Sequence, residues 1–146
     1  MSHLSLPPFE HALHVMNSWL KEICQEMGGE DRPGAYRALR AVLHALRDRL
    51  SIDQCAALSA QLPMLIRGVF FEGWQPNHTP TQEHTKAAFL NHVVKASQDS
   101  LDFDVENSTR AVLSVLSNNV SEGEIESVKR SLPESIRELW GQSIPA

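Results

Sequence analysis

Imidazole and carboxylate together form a donor set for zinc and similar ions, and this chain has seven histidines. Glu10, His11 and His14 fall within about one helical turn, and His11 and His14, three residues apart, share a helix face. His84 stands beside Glu83. If the helices carrying these segments met, His11, His14, His84, Glu10 and Glu83 would supply the nitrogen and oxygen ligands of a metal site. No HExxH pattern and no CxxC pair accompanies them, so ordinary surface histidines near helix starts are the competing reading.

A second group is Arg37, Arg40, His44 and Arg47, whose spacing draws a basic stripe along one helix. Its default state is a solvated face, and an acidic partner or a phosphate is what it would receive. Phe70, Phe71 and Trp74 form an aromatic helix end. Such residues either plug an interface inside the molecule or present a docking patch, and both readings stand at this point. Asp99, Asp102, Asp104 and Glu106 share the opening spacing of a calcium loop. The glycine and the closing glutamate that such a loop needs are missing, so a helix cap at Asp104 explains them better.

The elements that must position these residues are written in the sequence twice. Residues 40–70 and 110–140 align without a gap at an offset of 70, with ten of 31 positions identical. Upstream, Trp19, Leu20 and Ile23 correspond to Phe89, Leu90 and Val93. The pattern predicts internal repeats over 9–75 and 79–146, joined by a linker over 75–82. Each repeat reads as three helices, the third broken at a proline. Phe9, Leu13, Met16, Leu20, Ile23 and Met27 form one apolar helical stripe, and Tyr36, Leu39, Leu43, Leu46 and Leu50 another. Ser51 with Gln54 and Ser121 with Glu124 are capping boxes. Pro63 and Pro133 cannot continue a helical ladder, so helices should break at Leu62–Pro63 and Leu132–Pro133. In the linker, Thr79, Pro80 and Gln82 read as the start of the second repeat's first helix. No sustained period-two stretch suggests a strand. The prediction is an all-α fold: one helical domain over 1–146, a single compact bundle of two tandem three-helix repeats related by a pseudo-twofold axis.

The repeat also sorts the remaining candidates. Cys24 corresponds to Val94 and Cys55 to Ile125, so both thiols read as small buried hydrophobes. Leu43, Leu113, Ile66 and Ile136 should be buried too. Arg40 with Arg110 and Arg67 with Arg137 are charges present in both copies, which points first to carboxylate or helix-end contacts and second to an anion site.

Residues 1–78 carry 7 basic and 8 acidic side chains, and residues 79–146 carry 6 and 10, which gives the net charge of -5. That balance argues against a general nucleic-acid binder, which needs cations to displace phosphate counterions. No apolar run is long enough to span a membrane. The opening Met-Ser-His-Leu-Ser-Leu-Pro-Pro has neither a basic nor an apolar leader region, so a cytoplasmic location with reduced cysteines is expected.

The run from Arg40 to Pro76 resembles a bacterial family known as domain-of-unknown-function family 2267. The residues that carry the likeness are Arg40-Ala41-Val42-Leu43, Ala60 through Gly68, and Phe71-Glu72-Gly73-Trp74-Gln75-Pro76. The second Leu-Pro-x-x-Ile-Arg-x-Leu-Trp ending also fits. The resemblance implies a duplicated all-helical domain and no particular activity. With no nucleophile–base pair and no phosphate-binding glycine loop, the expected function is a non-enzymatic interaction or regulatory module without a cofactor. Its partner would be another protein or, as a homo-oligomer, a second copy, with neither nucleic acid nor membrane involved. The alternative is a small-ligand or metal-binding protein with its site between the repeats.

Overall fold

Prolines, glycines and short polar side chains set the helix ends. The computed structural model describes residues 6–98 and 104–141. Helix α1 (Pro7–Met27) opens on two prolines and stops at Gly28, whose φ of 87° is a left-handed conformation that favours glycine. The Gly28 N–H bonds back to the Cys24 carbonyl at 2.9 Å. Asp31 caps α2 (Arg32–Arg49), accepting the Gly34 N–H at 2.9 Å. Ser51 and Gln54 form a complete capping box at α3 (Ile52–Ser59). The chain then breaks at Pro63, which precedes α4 (Met64–Phe71). After a 3-10 turn at Pro76–His78 come α5 (Lys86–Ala96), α6 (Val105–Asn119), α7 (Glu122–Arg130) and α8 (Glu134–Arg137), and a final 3-10 turn at Glu138–Trp140. Pro133 makes the second break, between α7 and α8. All eight helices are joined without a strand among the described residues.

Two helices form the centre. In α2 every residue from Ala41 to Arg47 is buried, and in α6 burial likewise spreads round the helix from Ser108 to Leu116. A helix buried on more than one face needs neighbours on several sides. The neighbours come from both halves of the chain: α2 packs most extensively on α5, α1 on α6, and α2 and α6 on each other. One apolar cluster results, running from Trp19 and Ile23 through Leu43, Ile66 and Phe70 to Phe89, Leu113, Ile136 and Leu139. Cys24 and Cys55 lie in it as free thiols, and burial pushes the Cys55 thiol up to about 11.

Four local expectations need correction. Thr79, Pro80 and Gln82 start no helix; α5 begins at Lys86, capped by Thr85, which accepts the Ala88 N–H at 3.1 Å. Residues 79–85 instead run as a strap tied to the end of α2. The Thr81 N–H donates to the Asp48 carbonyl at 2.7 Å, and the Arg49 Nε to the Glu83 carbonyl at 2.9 Å. At α7 the expected box is only half made. Ser121 Oγ accepts the Glu124 N–H, but the Ser121 N–H donates to Gln61 Oε1 at 2.8 Å, so a side chain from the other half takes the place of Glu124. Tyr36, near the start of α2, is 37% exposed, although Leu39, Leu43, Leu46 and Leu50 of the same stripe have no exposed surface. Phe9 and Leu13 are also exposed, because the neighbours of α1 cover it mainly from Trp19 onward.

Leu43 and Leu113 have no exposed surface. Truncating either to alanine leaves a cavity between the central helices, and urea unfolding should show a loss of about 2–5 kcal/mol.

Candidate functional site

The polar residues of the molecule converge where α2 ends. His44, Arg47 and Asp48 follow one another at helical spacing, and the last turn of α4 faces them with carbonyls that have no partner in their own helix. His44 Nε2 lies 2.7 Å from the Val69 carbonyl oxygen. That oxygen only accepts, so Nε2 carries the proton. Burial lowers the His44 pKa, leaving a neutral ring suited to this bond. Arg47 Nη1 donates to the carbonyls of Phe70 at 3.0 Å and Glu72 at 2.8 Å, and its Nε to Asp48 Oδ1 at 2.8 Å. Arg40 Nε reaches the Glu72 carboxylate at 2.8 Å.

The basic stripe is therefore not a solvated face. His44 and Arg47 are 7% and 4% exposed, because the C-terminal end of α4 needs donors and α2 supplies them. Arg40 and Arg37 are half-buried, and Arg37 Nη2 sits 4.0 Å from Asp31. Arg67, the other cation with a counterpart, closes the end of α3 by donating to the Ser59 and Leu62 carbonyls at 3.0 and 2.8 Å. Arg110 is held by Glu106 at 2.8 Å and by the Glu138 carbonyl at 2.8 Å. The aromatic end is a plug: Phe70 is fully buried, Phe71 meets it edge-on with ring centres 5.0 Å apart, and Trp74 lies tilted 5.1 Å from Phe71, both partly buried against the core.

The proposed metal ligands do not come together. Glu10, His11 and His14 are exposed on α1, and His84 is exposed in the strap. The site required the first helices of the two halves to meet, whereas α1 packs on α6 and α5 on α2. Among the described residues no group of three or more His, Cys, Asp or Glu side chains is placed to hold a metal ion. Asp104 caps α6, accepting the Glu106 N–H at 3.0 Å, as its position before a helix suggests. Asp99 and Asp102 lie outside the described residues.

Glu83 has a different partner, which sequence reasoning missed. His92 on α5 lies between two carboxylates, with Nδ1 3.1 Å from Glu83 Oε2 and Nε2 3.3 Å from Asp48 Oδ2. The three residues come from α5, the strap and α2, and only folding brings them together. Asp48 and His92 raise no alarm alone, and the repeat gives no hint, since their counterparts are Asn118 and Glu22. Above them opens a cleft of about 390 Å³ between α2 and α5, with His44 and Arg47 among its lining residues. A larger groove of about 710 Å³ along α7 and α8 is lined by Lys129, Arg130 and Arg137 together with Glu126, Glu134 and Glu138. Opposite charges alternate there without converging on a point.

Replacing Arg47 by methionine strips three carbonyl and carboxylate partners of a buried donor. Denaturant unfolding should show a loss of about 3–5 kcal/mol. Arg40→Met, at a partly solvated ion pair, should cost no more than about 1 kcal/mol.

No curated protein matches the sequence to a significant degree. A family model matches residues 16–139, from the buried half of α1 through the last turn of the core. Every site described above falls inside that span except Glu10, His11 and His14. The description attached to the family names no activity, and the chain belongs to it: Uncharacterized conserved protein (DUF2267).

Proposed function

We propose that this protein is a non-enzymatic interaction module that associates with a second copy of itself through the exposed N-terminal half of α1. One observation carries the reading. Leu6, Phe9 and Leu13 are 59%, 53% and 55% exposed and follow one another at helical spacing, giving an apolar face that none of the other described residues covers. Of the helical residues before Trp19, only Ala12 is buried. An antiparallel pair of such helices is self-complementary: each stripe covers the other, and one twofold contact shields both. The basic stripe offers no competing surface, since two of its four members are inside the molecule.

The finer architecture belongs to the same reading. The two halves are tandem repeats about a pseudo-twofold axis. Support comes from α3 and α7, and α4 and α8, starting 70 residues apart, and from packing that exchanges partners, α1 on α6 and α5 on α2. No helix among the described residues is long and apolar enough to cross a membrane. The two free, buried cysteines suit a reducing cytoplasm. A small-ligand reading is favoured by one feature, the cleft between α2 and α5. Its polar groups already bond to one another, which weighs against it.

Sedimentation equilibrium tests the proposal. The native chain should show a concentration-dependent dimer. Phe9→Glu with Leu13→Glu, two exposed positions, should leave the fold intact and shift the population to monomer. A chain that stays monomeric at every concentration, or a double variant that dimerises as before, overturns it.

A further inference from the structure

We infer that Asp48, Glu83 and His92 form a proton-operated latch, which fastens the strap over 79–85 and the helix α5 onto the end of α2. A neutral imidazole has one N–H and one lone pair, and an ionised carboxylate only accepts. Here both ring nitrogens face carboxylate oxygens, at 3.1 and 3.3 Å. Only the doubly protonated ring can donate on both sides. Remove that proton and one nitrogen turns its lone pair toward a carboxylate, while the two acids lose the cation between them.

The surroundings favour the charged ring. Asp48, Arg47 and His44 face the cleft from α2, Glu83 from the strap, and Lys95 from α5 itself. On the far side of α5, Glu106 of α6 and Glu138 beyond α8 are held by Lys86 and Arg110 rather than by His92. The hydrogen bond to Asp48 is the main cause raising the His92 pKa, with Glu83 adding to it against the opposing effect of burial. Burial pushes the Asp48 carboxyl up, but the bonds from His92 and Arg47 outweigh it and hold the group below its ordinary value. His44 pulls the other way: its neutral ring is favoured, so acid works against it.

The latch has a place and a sign. It sits on the α2–α5 seam between the halves. Among the described residues the corresponding α1–α6 seam is linked by the Asn119 amide, which donates to the Glu22 carboxylate at 3.3 Å; no imidazole stands between two acids there, so the histidine latch belongs to one seam and not the other. The folded His92 pKa is above its free value of 6.5. The contribution is therefore complete below pH 6.5 and is lost as pH rises through the folded value. The released segment is the strap, whose Thr81 N–H is tied to the Asp48 carbonyl at 2.7 Å.

The test uses the full chain and does not depend on self-association, since the Phe9→Glu, Leu13→Glu monomer serves as well as the native chain. Nitrogen-15 NMR of the histidine rings should find both His92 nitrogens protonated at pH 6.5, with a titration point above that of free histidine. The exchange of the Thr81 amide, corrected for intrinsic pH dependence, should accelerate several-fold across that point. Asp48→Asn should lower the titration point, and His92→Gln should abolish the pH step in exchange. If a variant fails to fold, the native titration decides alone. A His92 that titrates at or below free histidine, or a Thr81 amide without a step, overturns the inference.

Discussion

The structure depends on the burial of α2. A helix covered from Ala41 to Arg47 on successive positions cannot be satisfied by the helices of its own half. It takes α1 and α4 from one side of the sequence and α5 and α6 from the other. A 70-residue unit on its own would bury a smaller share of its surface than the whole chain, roughly 60%, and would be marginal. The exchange of partners between halves makes one core out of two small ones, and it decides which polar residues end up inside.

Arg47 shows how that constraint reaches the polar chemistry. Once the end of α2 is enclosed, a guanidinium there has to be fully bonded or it destabilises the fold. It finds the carbonyls at the end of α4 and the Asp48 carboxylate, which in turn orients toward His92. The chain of contacts runs from α4 through α2 to α5, so a helix cap in the first half and a histidine in the second are parts of one network. Removing members of such a network has effects that do not add.

Where the halves differ, the structure differs in kind. Arg47 corresponds to Ser117 and Asp48 to Asn118, and the ends of α4 and α8 are accordingly held by different means, the second by Arg110 and its acids. The segment 77–85, which corresponds to the start of α1, is a turn and a strap instead of a helix. The long α1 is left with an apolar face that the other described residues do not cover, and the shorter α5 is clasped at its strap. Both features singled out for function, the exposed stripe and the histidine latch, come from this asymmetry.

Much of the fold could be read from the sequence because its signals are local. Proline stops a ladder wherever it stands, a serine before a helix accepts the first amides, and apolar spacing of three and four marks a buried face. These rules placed the breaks at Pro63 and Pro133, the cap at Ser51 and the buried leucines and cysteines. What they could not decide was which helix covers which. The basic stripe on α2 has the spacing of a solvated face, and only the arrival of α4 turns His44 and Arg47 into buried caps. Phe9 and Leu13 have the spacing of a core stripe, and they stay outside because no neighbour among the described residues covers them. His92 meets Asp48 and Glu83 because α5 lies against α2, a contact between residues 44 positions apart. Spacing along a chain describes one helix at a time, whereas burial, protonation and pairing are set by the neighbours that tertiary packing brings.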